Sequence, residues 1–218
     1  ASLLVDSIAA YLKVDPAQVF VGVGSDDVLA LSFLTFFNSD KPVLFPDITY
    51  SFYDVWANLF GIPYHCPQLD GEFRLVKEDY LKENGGIVLP NAPTGLEESM
   101  EMLEEIVARN PDSVIIIDEA YVDFGARSAL PLVDKYENVM VVQTFSKSRA
   151  MAGMRIGFAV GSRKLIGYLK DVKFSFNSYT MNGPSIAWGA ASIRDEAYFR
   201  ETVDKIIRTR ERTKTELA

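Results

Sequence analysis

The feature that most constrains the fold of this chain is an alternation of short apolar runs with helical patterns. The apolar runs are residues 19–21, 42–45, 86–89 and 113–117, and helical patterns at 26–37, 50–60 and 97–109 follow the first three. Strands that alternate with helices at this spacing predict an α/β fold, with a mostly parallel sheet and helices on both faces. In such sheets ligands bind beyond the carboxyl ends of the strands, so we expect functional residues there.

Composition narrows the kind of protein further. The chain has 218 residues, of which 48% are hydrophobic, so it can bury the core of one large domain. Its net charge of -8, with no long basic block, argues against a binder of nucleic acid or anionic membranes. A single cysteine, Cys66, excludes an internal disulfide and fits a reducing compartment. Since no run is apolar enough to span a membrane and residues 1–20 lack a signal-peptide pattern, the expected location is the cytoplasm.

The two ends of the chain predict a fragment of a longer protein. Residues 2–13 already have helical spacing, with no initiator methionine before them, and residues 195–218 form a charged helical pattern with nothing after it. Between residues 15 and 195 there is no linker, repeat or low-complexity tract that would mark a domain boundary. Residues 1–218 are therefore predicted to form one domain.

One lysine stands out at the end of a predicted strand. The apolar run 139–142 leads into polar residues that include Ser146 and Lys147, and Lys147 has small and apolar neighbours. Such a lysine is expected to lose water, which disfavours its ammonium form and makes the neutral amine a nucleophile. Ser146 and Arg155 can together hold an anion beside it, and a lysine next to a phosphate site suggests pyridoxal phosphate (PLP). The alternative is a solvated lysine after a buried strand.

A glycine-rich turn lies between the first predicted strand and the first helix after it. Its sequence, residues 22–27, would offer backbone N–H groups and a favourable helix dipole to a phosphate. It is not a dinucleotide fingerprint, because Asp27 occupies the third glycine position of G-x-G-x-x-G. The alternative is an ordinary tight turn, with Ser25 or Asp26 as the helix N-cap.

Asp118 follows the fully apolar run 115–117. An acid in this place is typical of a Walker B aspartate, but that function needs a G-x-x-x-x-G-K-[ST] loop, and the sequence contains none. In PLP enzymes an aspartate so placed pairs with the protonated pyridine nitrogen. A helix N-cap is the alternative for Asp118.

Two further strand ends carry candidate residues. Tyr50, within residues 46–53, can stack on a flat ring, or can simply pack under a helix. Asn91 belongs to the rigid turn 89–95, which turn chemistry alone would explain. His65 is the only histidine and has no nucleophile motif around it, and no His/Cys cluster has the spacing of metal ligands, so no metal site is predicted.

Taken in order, these motifs resemble those of the class I and II aminotransferases, which are fold-type-I PLP enzymes. The resemblance covers nearly the whole chain and is strongest over residues 19–161. It departs from the family pattern at Ala92, which stands directly before Pro93 where the family has asparagine, so that the nearest amide is Asn91.

The resemblance implies PLP as the cofactor and a role for each matching residue. The phosphate would be bound by Gly24, Ser25, Asp26, Ser146 and Arg155. Tyr50 would stack on the ring, and Asn91 and Tyr121 would contact the phenolic oxygen. Asp118 would pair with the pyridine nitrogen, and Lys147 would attach the cofactor covalently. Lys147, Asp118 and Tyr121 are the residues implied in catalysis. Lys147 is further implied to move the proton of the substrate Cα.

Within the family, residues 46–53, 118–124 and 144–147 most resemble the histidinol-phosphate aminotransferases. That resemblance implies ping-pong transamination between histidinol phosphate and 2-oxoglutarate in histidine biosynthesis, by a cytoplasmic homodimer. It also implies that the chain is the large domain, without the family's amino-terminal arm and small domain. An aromatic aminotransferase, a threonine-phosphate decarboxylase, and a PLP-binding or dimerisation fragment with no activity of its own remain open.

Overall fold

Strands from the whole chain meet in one sheet. The computed structural model describes residues 2–217, and within them seven strands have the order β1-β7-β6-β5-β4-β2-β3. The strands are β1 (Val19–Gly22), β2 (Val43–Leu44), β3 (Tyr64–His65), β4 (Gly86–Pro90), β5 (Ile115–Asp118), β6 (Val139–Thr144) and β7 (Gly157–Gly161). Strands β2 to β6 pair in parallel, whereas β7 is antiparallel to both β1 and β6. The predicted α/β fold with a mostly parallel sheet is confirmed.

Helices cover both faces of the sheet. They are α1 (Ser2–Leu12), α2 (Ser25–Phe36), α3 (Tyr53–Phe60), α4 (Met100–Arg109), α5 (Leu130–Val133), α6 (Arg163–Phe176), α7 (Gly183–Arg194) and α8 (Glu196–Leu217). The central strand β5 shows how the two layers form, because side chains alternate between the faces of a strand. Ile115 and Ile117 pack into the core on one face, with residues of α1 and α4, and Ile116 packs on the other face with residues of α2, α3 and α6.

The ends of some elements differ from prediction. The helix predicted from residue 97 begins at Met100, because the Ser99 side chain accepts the Met102 N–H at 3.1 Å. The helix predicted from residue 50 begins at Tyr53. No element is predicted for residues 163–194, where the structure has α6 and α7. Of the terminal helix predicted over 195–218, residues 196–217 are helical, and residue 218 lies outside the described residues.

Two of the capping alternatives are wrong. Gly24, not Ser25 or Asp26, occupies the N-cap of α2, and it supplies no side-chain cap. Asp118 ends strand β5, and the short 3-10 helix that follows, Val122–Phe124, has Tyr121 at its N-cap. The polar residues at both strand ends are therefore not used as caps.

Over residues 2–217, no helix combines the length and the apolar character needed to cross a membrane. The same residues contain no group of three or more His, Cys, Asp or Glu side chains that could hold a metal ion.

Candidate active site

A cavity of about 1010 Å³ lies at the carboxyl ends of the parallel strands. Its walls come from the first turn of α2, the segments that follow β2, β4, β5 and β6, and the C-terminal half of α8. Nine of the ten sequence-predicted site residues line it, namely Ser25, Asp26, Tyr50, Asn91, Asp118, Tyr121, Ser146, Lys147 and Arg155. The parallel sheet therefore gathers into one place residues that are up to 130 positions apart in the chain.

Gly24, the tenth predicted residue, lies behind the wall of the cavity. Its backbone has φ +88, and a Cβ at this position would collide with the guanidinium of Arg155. A Cβ on Gly157, at the start of β7, would collide with the backbone of Gly24 and Ser25. The two glycines thus allow the turn before α2, the start of β7 and Arg155 to pack against one another.

Asp26, Tyr50 and Arg155 form what we call the open end of the cavity. Asp26 Oδ1 accepts a hydrogen bond from the Tyr50 hydroxyl at 2.9 Å, and Arg155 Nη2 lies 3.1 Å from Asp26 Oδ2. The Arg155 and Asp26 side chains keep 44% and 47% of their surface exposed. Partial burial, followed by the hydrogen bond to Asp26, raises the pKa of Tyr50 to about 12, so its hydroxyl remains a donor at neutral pH.

Arg155 and the start of α2 together make the open end suitable for an anion. Because the N-cap glycine has no side chain, the N–H groups of the first helical turn have no side-chain cap. These amides and the positive end of the helix dipole favour negative charge, as does the guanidinium. Ser146 also lines the cavity, and its N–H donates to Thr144 Oγ1 at 3.1 Å, which fixes the turn after β6.

Asp118 forms what we call the closed end of the cavity, and Tyr53 contacts it from the core. Asp118 is 5% exposed, and its Oδ2 accepts a hydrogen bond from the fully buried Tyr53 hydroxyl at 2.7 Å. Its Oδ1 is buried and has no hydrogen-bond partner among residues 2–217. Burial raises the pKa of Asp118 to about 6, and the carboxylate of Asp26 raises it as well. The hydrogen bond from Tyr53, the Ala120 amide and the charge of Lys147 lower this pKa but do not cancel the effect of burial.

Lys147 differs from prediction. The side chain is exposed, with Nζ 5.1 Å from the centre of the Tyr121 ring, so the expected loss of water at this lysine is wrong. The interior position is taken by Phe145, which is fully buried, and Lys147 follows in a turn at the rim of the cavity. Lys147 nevertheless lines the same cavity as Asp118.

Asn91 and Tyr121 are linked through the backbone. Asn91 Oδ1 accepts the Tyr121 N–H at 3.2 Å, and both residues line the cavity. This bond occupies the side-chain oxygen of Asn91 and leaves its NH₂ group as a donor. Ala92, which stands where the family has asparagine, also lines the cavity but offers only a methyl group.

Sequence reasoning missed two contributors to the site. Tyr53 lies three residues after Tyr50, and in the helix predicted from residue 50 that spacing places both tyrosines on one face, so a signal existed. The other is α8, whose Ile206, Arg210 and Lys214 line the cavity. Arg210 Nη1 donates to the Phe124 carbonyl oxygen at 2.9 Å, and nothing in the local sequence indicates that contact.

Comparison with known proteins gives a consistent picture. Residues 2–218 match the family described as Aminotransferase class I and II. A protein of Lactococcus lactis subsp. cremoris (strain MG1363) named histidinol-phosphate aminotransferase is 52% identical over 219 residues, which is 100% of this chain and 62% of that protein. One of Clostridium beijerinckii with the same name is 46% identical over 218 residues, 99% of this chain and 61% of that protein. The chain thus spans about 62% of the length of the first of these relatives.

Solved structures support the fold. The histidinol-phosphate aminotransferase from Clostridium acetobutylicum superposes with a TM-score of 0.89 at 22% identity, covering 99% of this chain and 66% of that one. The histidinol-phosphate aminotransferase from Sinorhizobium meliloti, solved in complex with pyridoxal-5'-phosphate, has a TM-score of 0.87 at 24% identity, over 98% and 61% of the two chains. At these identities the superpositions establish the arrangement of the elements.

Proposed function

Because this chain belongs to the class I and II aminotransferases, we propose that it binds PLP in the cavity and is the large domain, residues 1–218, of an enzyme that transaminates histidinol phosphate with 2-oxoglutarate. The observation that carries the proposal is Asp118 Oδ1, which is buried and has no partner among residues 2–217, in a cavity that Lys147 and Arg155 also line. The names of relatives 46% to 52% identical over nearly the whole chain support the choice of substrate.

The cavity fits PLP at both ends. At the open end, Arg155, Ser146 and the amides that follow Gly24 would hold the phosphate by charge-assisted hydrogen bonds. At the closed end, Asp118 Oδ1 has no donor within the part of the chain that the structure describes, and a protonated pyridine nitrogen is a donor of the right charge. Tyr50, whose ring centre lies 5.8 Å from that of Tyr53, would cover the ring.

Lys147, Tyr121 and Asn91 would serve the reacting side. When bound, PLP supplies an aldehyde carbon that an amine can attack and a pyridine ring that withdraws electrons. Lys147 would bind that carbon covalently, and its amine would take the proton from the donor's Cα. Tyr121 and the NH₂ group of Asn91 would donate to the phenolic oxygen, so Asn91 would take the role that Ala92 cannot.

Asp118 would act through its negative charge and through the hydrogen bond that its Oδ1 would accept. An ionised carboxylate in a buried place keeps the nitrogen opposite it protonated, and it is already oriented before the substrate arrives. Its pKa of about 6 in the cofactor-free chain means that the carboxylate is mainly ionised at neutral pH. A positive partner would then lower that pKa further.

The test of the proposal is to trap and locate the lysine adduct. The purified chain is incubated with PLP and reduced with borohydride, and the modified peptide is identified by mass. We expect the adduct on Lys147, its loss in Lys147→Ala, and no change in the control Lys164→Ala, which removes an exposed lysine of α6. An adduct on another lysine would remove Lys147 from the proposed role.

A second measurement addresses the substrate. Turnover is assayed with 2-oxoglutarate and a panel of amino donors comprising histidinol phosphate, phenylalanine, tyrosine and threonine phosphate. Histidinol phosphate should be the best donor, and a preference for any other would contradict this part of the proposal. Binding of PLP with no turnover would favour a cofactor-binding fragment.

The proposal includes a cytoplasmic homodimer, as the resemblance implies, and sedimentation velocity measures the oligomeric state.

A further inference from the structure

Tyr53 is a buried tyrosine that touches the proposed site through one atom. Its hydroxyl donates to Asp118 Oδ2 at 2.7 Å, whereas its ring lies in the core and the residue is 0% exposed. Tyr53 is not among the residues that line the cavity. It can therefore act on a ligand only through its contact with Asp118.

The Tyr53 ring is held in place by other aromatic rings. The ring centres of Phe33, Phe45 and Tyr50 lie 6.0, 5.6 and 5.8 Å from its own. In a close-packed core such a ring does not have room to turn aside. The direction of the hydroxyl, and with it the plane of the Asp118 carboxylate, is therefore fixed.

This contact divides the two oxygens of Asp118 between different tasks. Oδ2 is taken by Tyr53, and Oδ1 remains buried without a partner among residues 2–217. A buried acceptor with no donor is costly for the folded state, which indicates that a ligand supplies the donor. Because Tyr53 is neutral, it satisfies one oxygen without using up the negative charge that a cationic ligand would need.

We propose that Tyr53 is the positioning residue of Asp118: its hydroxyl fixes the carboxylate and favours the ionised form, which leaves Oδ1 to accept the pyridine N–H of PLP. The identity of the ligand rests on the proposed function. The effect on Asp118 itself rests on the contact between the two side chains.

The groups around Asp118 show why the hydrogen bond from Tyr53 matters for the ionisation of this carboxyl. Burial and the carboxylate of Asp26, on α2, oppose ionisation of Asp118, whereas Tyr53, the Ala120 amide and Lys147 favour it. Burial keeps the pKa of Tyr53 well above its ordinary value, so its hydroxyl stays protonated and remains a donor. Without that donor, burial and Asp26 would act with less opposition, and the carboxyl would hold its proton to higher pH.

The first test is the titration of Asp118 in the cofactor-free chain, followed by carbon-13 NMR of carboxyl-labelled aspartate and assigned with Asp118→Asn. Tyr53→Phe should raise the pKa of Asp118 by about one unit or more, which is the scale of a lost hydrogen bond to a charged group. The matched control is Tyr80→Phe, because Tyr80 is also buried, at 1% exposure, but its hydroxyl has no partner among the described residues. An unchanged titration in Tyr53→Phe would overturn the proposal.

The second test is PLP binding, measured by equilibrium dialysis at pH 7 in a double-mutant cycle. Tyr53→Phe should raise the dissociation constant about tenfold or more in the wild-type background, and by much less in Asp118→Asn. Equal losses in both backgrounds would show a general packing effect and contradict the proposal. If even the wild-type chain fails to bind PLP, the proposed function fails, while the titration still decides the role of Tyr53.

A third variant covers the case in which Tyr53→Phe does not fold, as judged by circular dichroism. Tyr53 is replaced site-specifically by 3-fluorotyrosine, which keeps the ring and makes the hydroxyl a stronger donor. The pKa of Asp118 should then fall instead of rise. A rise or no change would count against the proposal.

Discussion

The open and closed ends of the cavity each place an aspartate beside a tyrosine hydroxyl, but in opposite surroundings. Asp26 keeps 47% of its side-chain surface and faces Arg155, whereas Asp118 is 5% exposed and faces a neutral, buried donor. Water screens the Asp26–Arg155 pair, and exposed pairs of this kind contribute little to stability. At the closed end burial is strong enough to raise the pKa of Asp118 to about 6.

The difference has a consequence for ligand binding. The open end can exchange its internal partner for a phosphate at small cost, because its groups are already partly hydrated. The closed end cannot rearrange, and a buried carboxylate without a full set of donors destabilises the fold until a ligand supplies one. We therefore expect substitutions at the closed end to have large effects and substitutions at the open end small ones.

The largest effect is expected for Asp118→Asn on turnover. The amide removes the charge opposite the proposed pyridine nitrogen but keeps the shape, so transamination should slow about a hundredfold or more, the scale of losing one preorganised electrostatic group. Single-turnover absorbance changes of the PLP-loaded protein measure this rate. The control is Asp171→Asn, which removes an exposed carboxylate on α6. Turnover close to wild type would remove Asp118 from the proposed role.

The next effect concerns stability and pH in the cofactor-free chain. The folded-state pKa of Asp118 is about 6, against an ordinary value of 3.8, so between these pH values the folded state binds more protons than the unfolded one. Stability is therefore lost as pH rises through this window. Asp118→Asn avoids the loss and should stabilise the chain by up to about 2 to 3 kcal/mol at pH 8, with little effect at pH 4.

Urea unfolding at the two pH values measures this difference, and Asp171→Asn again serves as the control. A destabilised Asp118→Asn at pH 8 would contradict the account of the closed end. Together with the turnover prediction, the result would show a site residue that lowers the stability of the free chain while it raises activity.

The same contrast explains what the sequence could and could not predict. Apolar runs such as 115–117 identify the buried strands, and polar residues after them locate the cavity, because both signals are local. The burial of Lys147 was wrongly predicted because neighbours in sequence do not reveal which side chain turns inward, and here it is Phe145. Tyr53 and Arg210 act on partners 65 and 86 residues away, and no spacing rule connects such pairs.

The role that the resemblance implies for Asp26 differs from the contacts that its side chain makes. The family pattern implies that the turn containing Asp26 binds phosphate, yet its carboxylate accepts hydrogen bonds from Tyr50 and Arg155, as a phosphate oxygen would. A carboxylate and a phosphate dianion at one end of a cavity repel each other. We therefore expect the backbone of the turn to favour the phosphate and the Asp26 side chain to compete with it for Arg155.

Asp26→Asn tests this competition and should give the smallest effect of the series. The amide oxygen can still accept one hydrogen bond, but the negative charge is gone, so the dissociation constants of PLP and of inorganic phosphate should fall about threefold to tenfold. The gain should shrink at high salt, since the groups involved are half exposed and ions screen them. Isothermal titration at low and high salt measures both ligands. The matched control is Asp15→Asn, which removes the carboxylate partner of another exposed arginine, Arg163, outside the cavity. If Asp26→Asn weakened binding instead, the carboxylate would be shown to hold Arg155 and Tyr50 in place for the phosphate. The open end would then be as preorganised as the closed end.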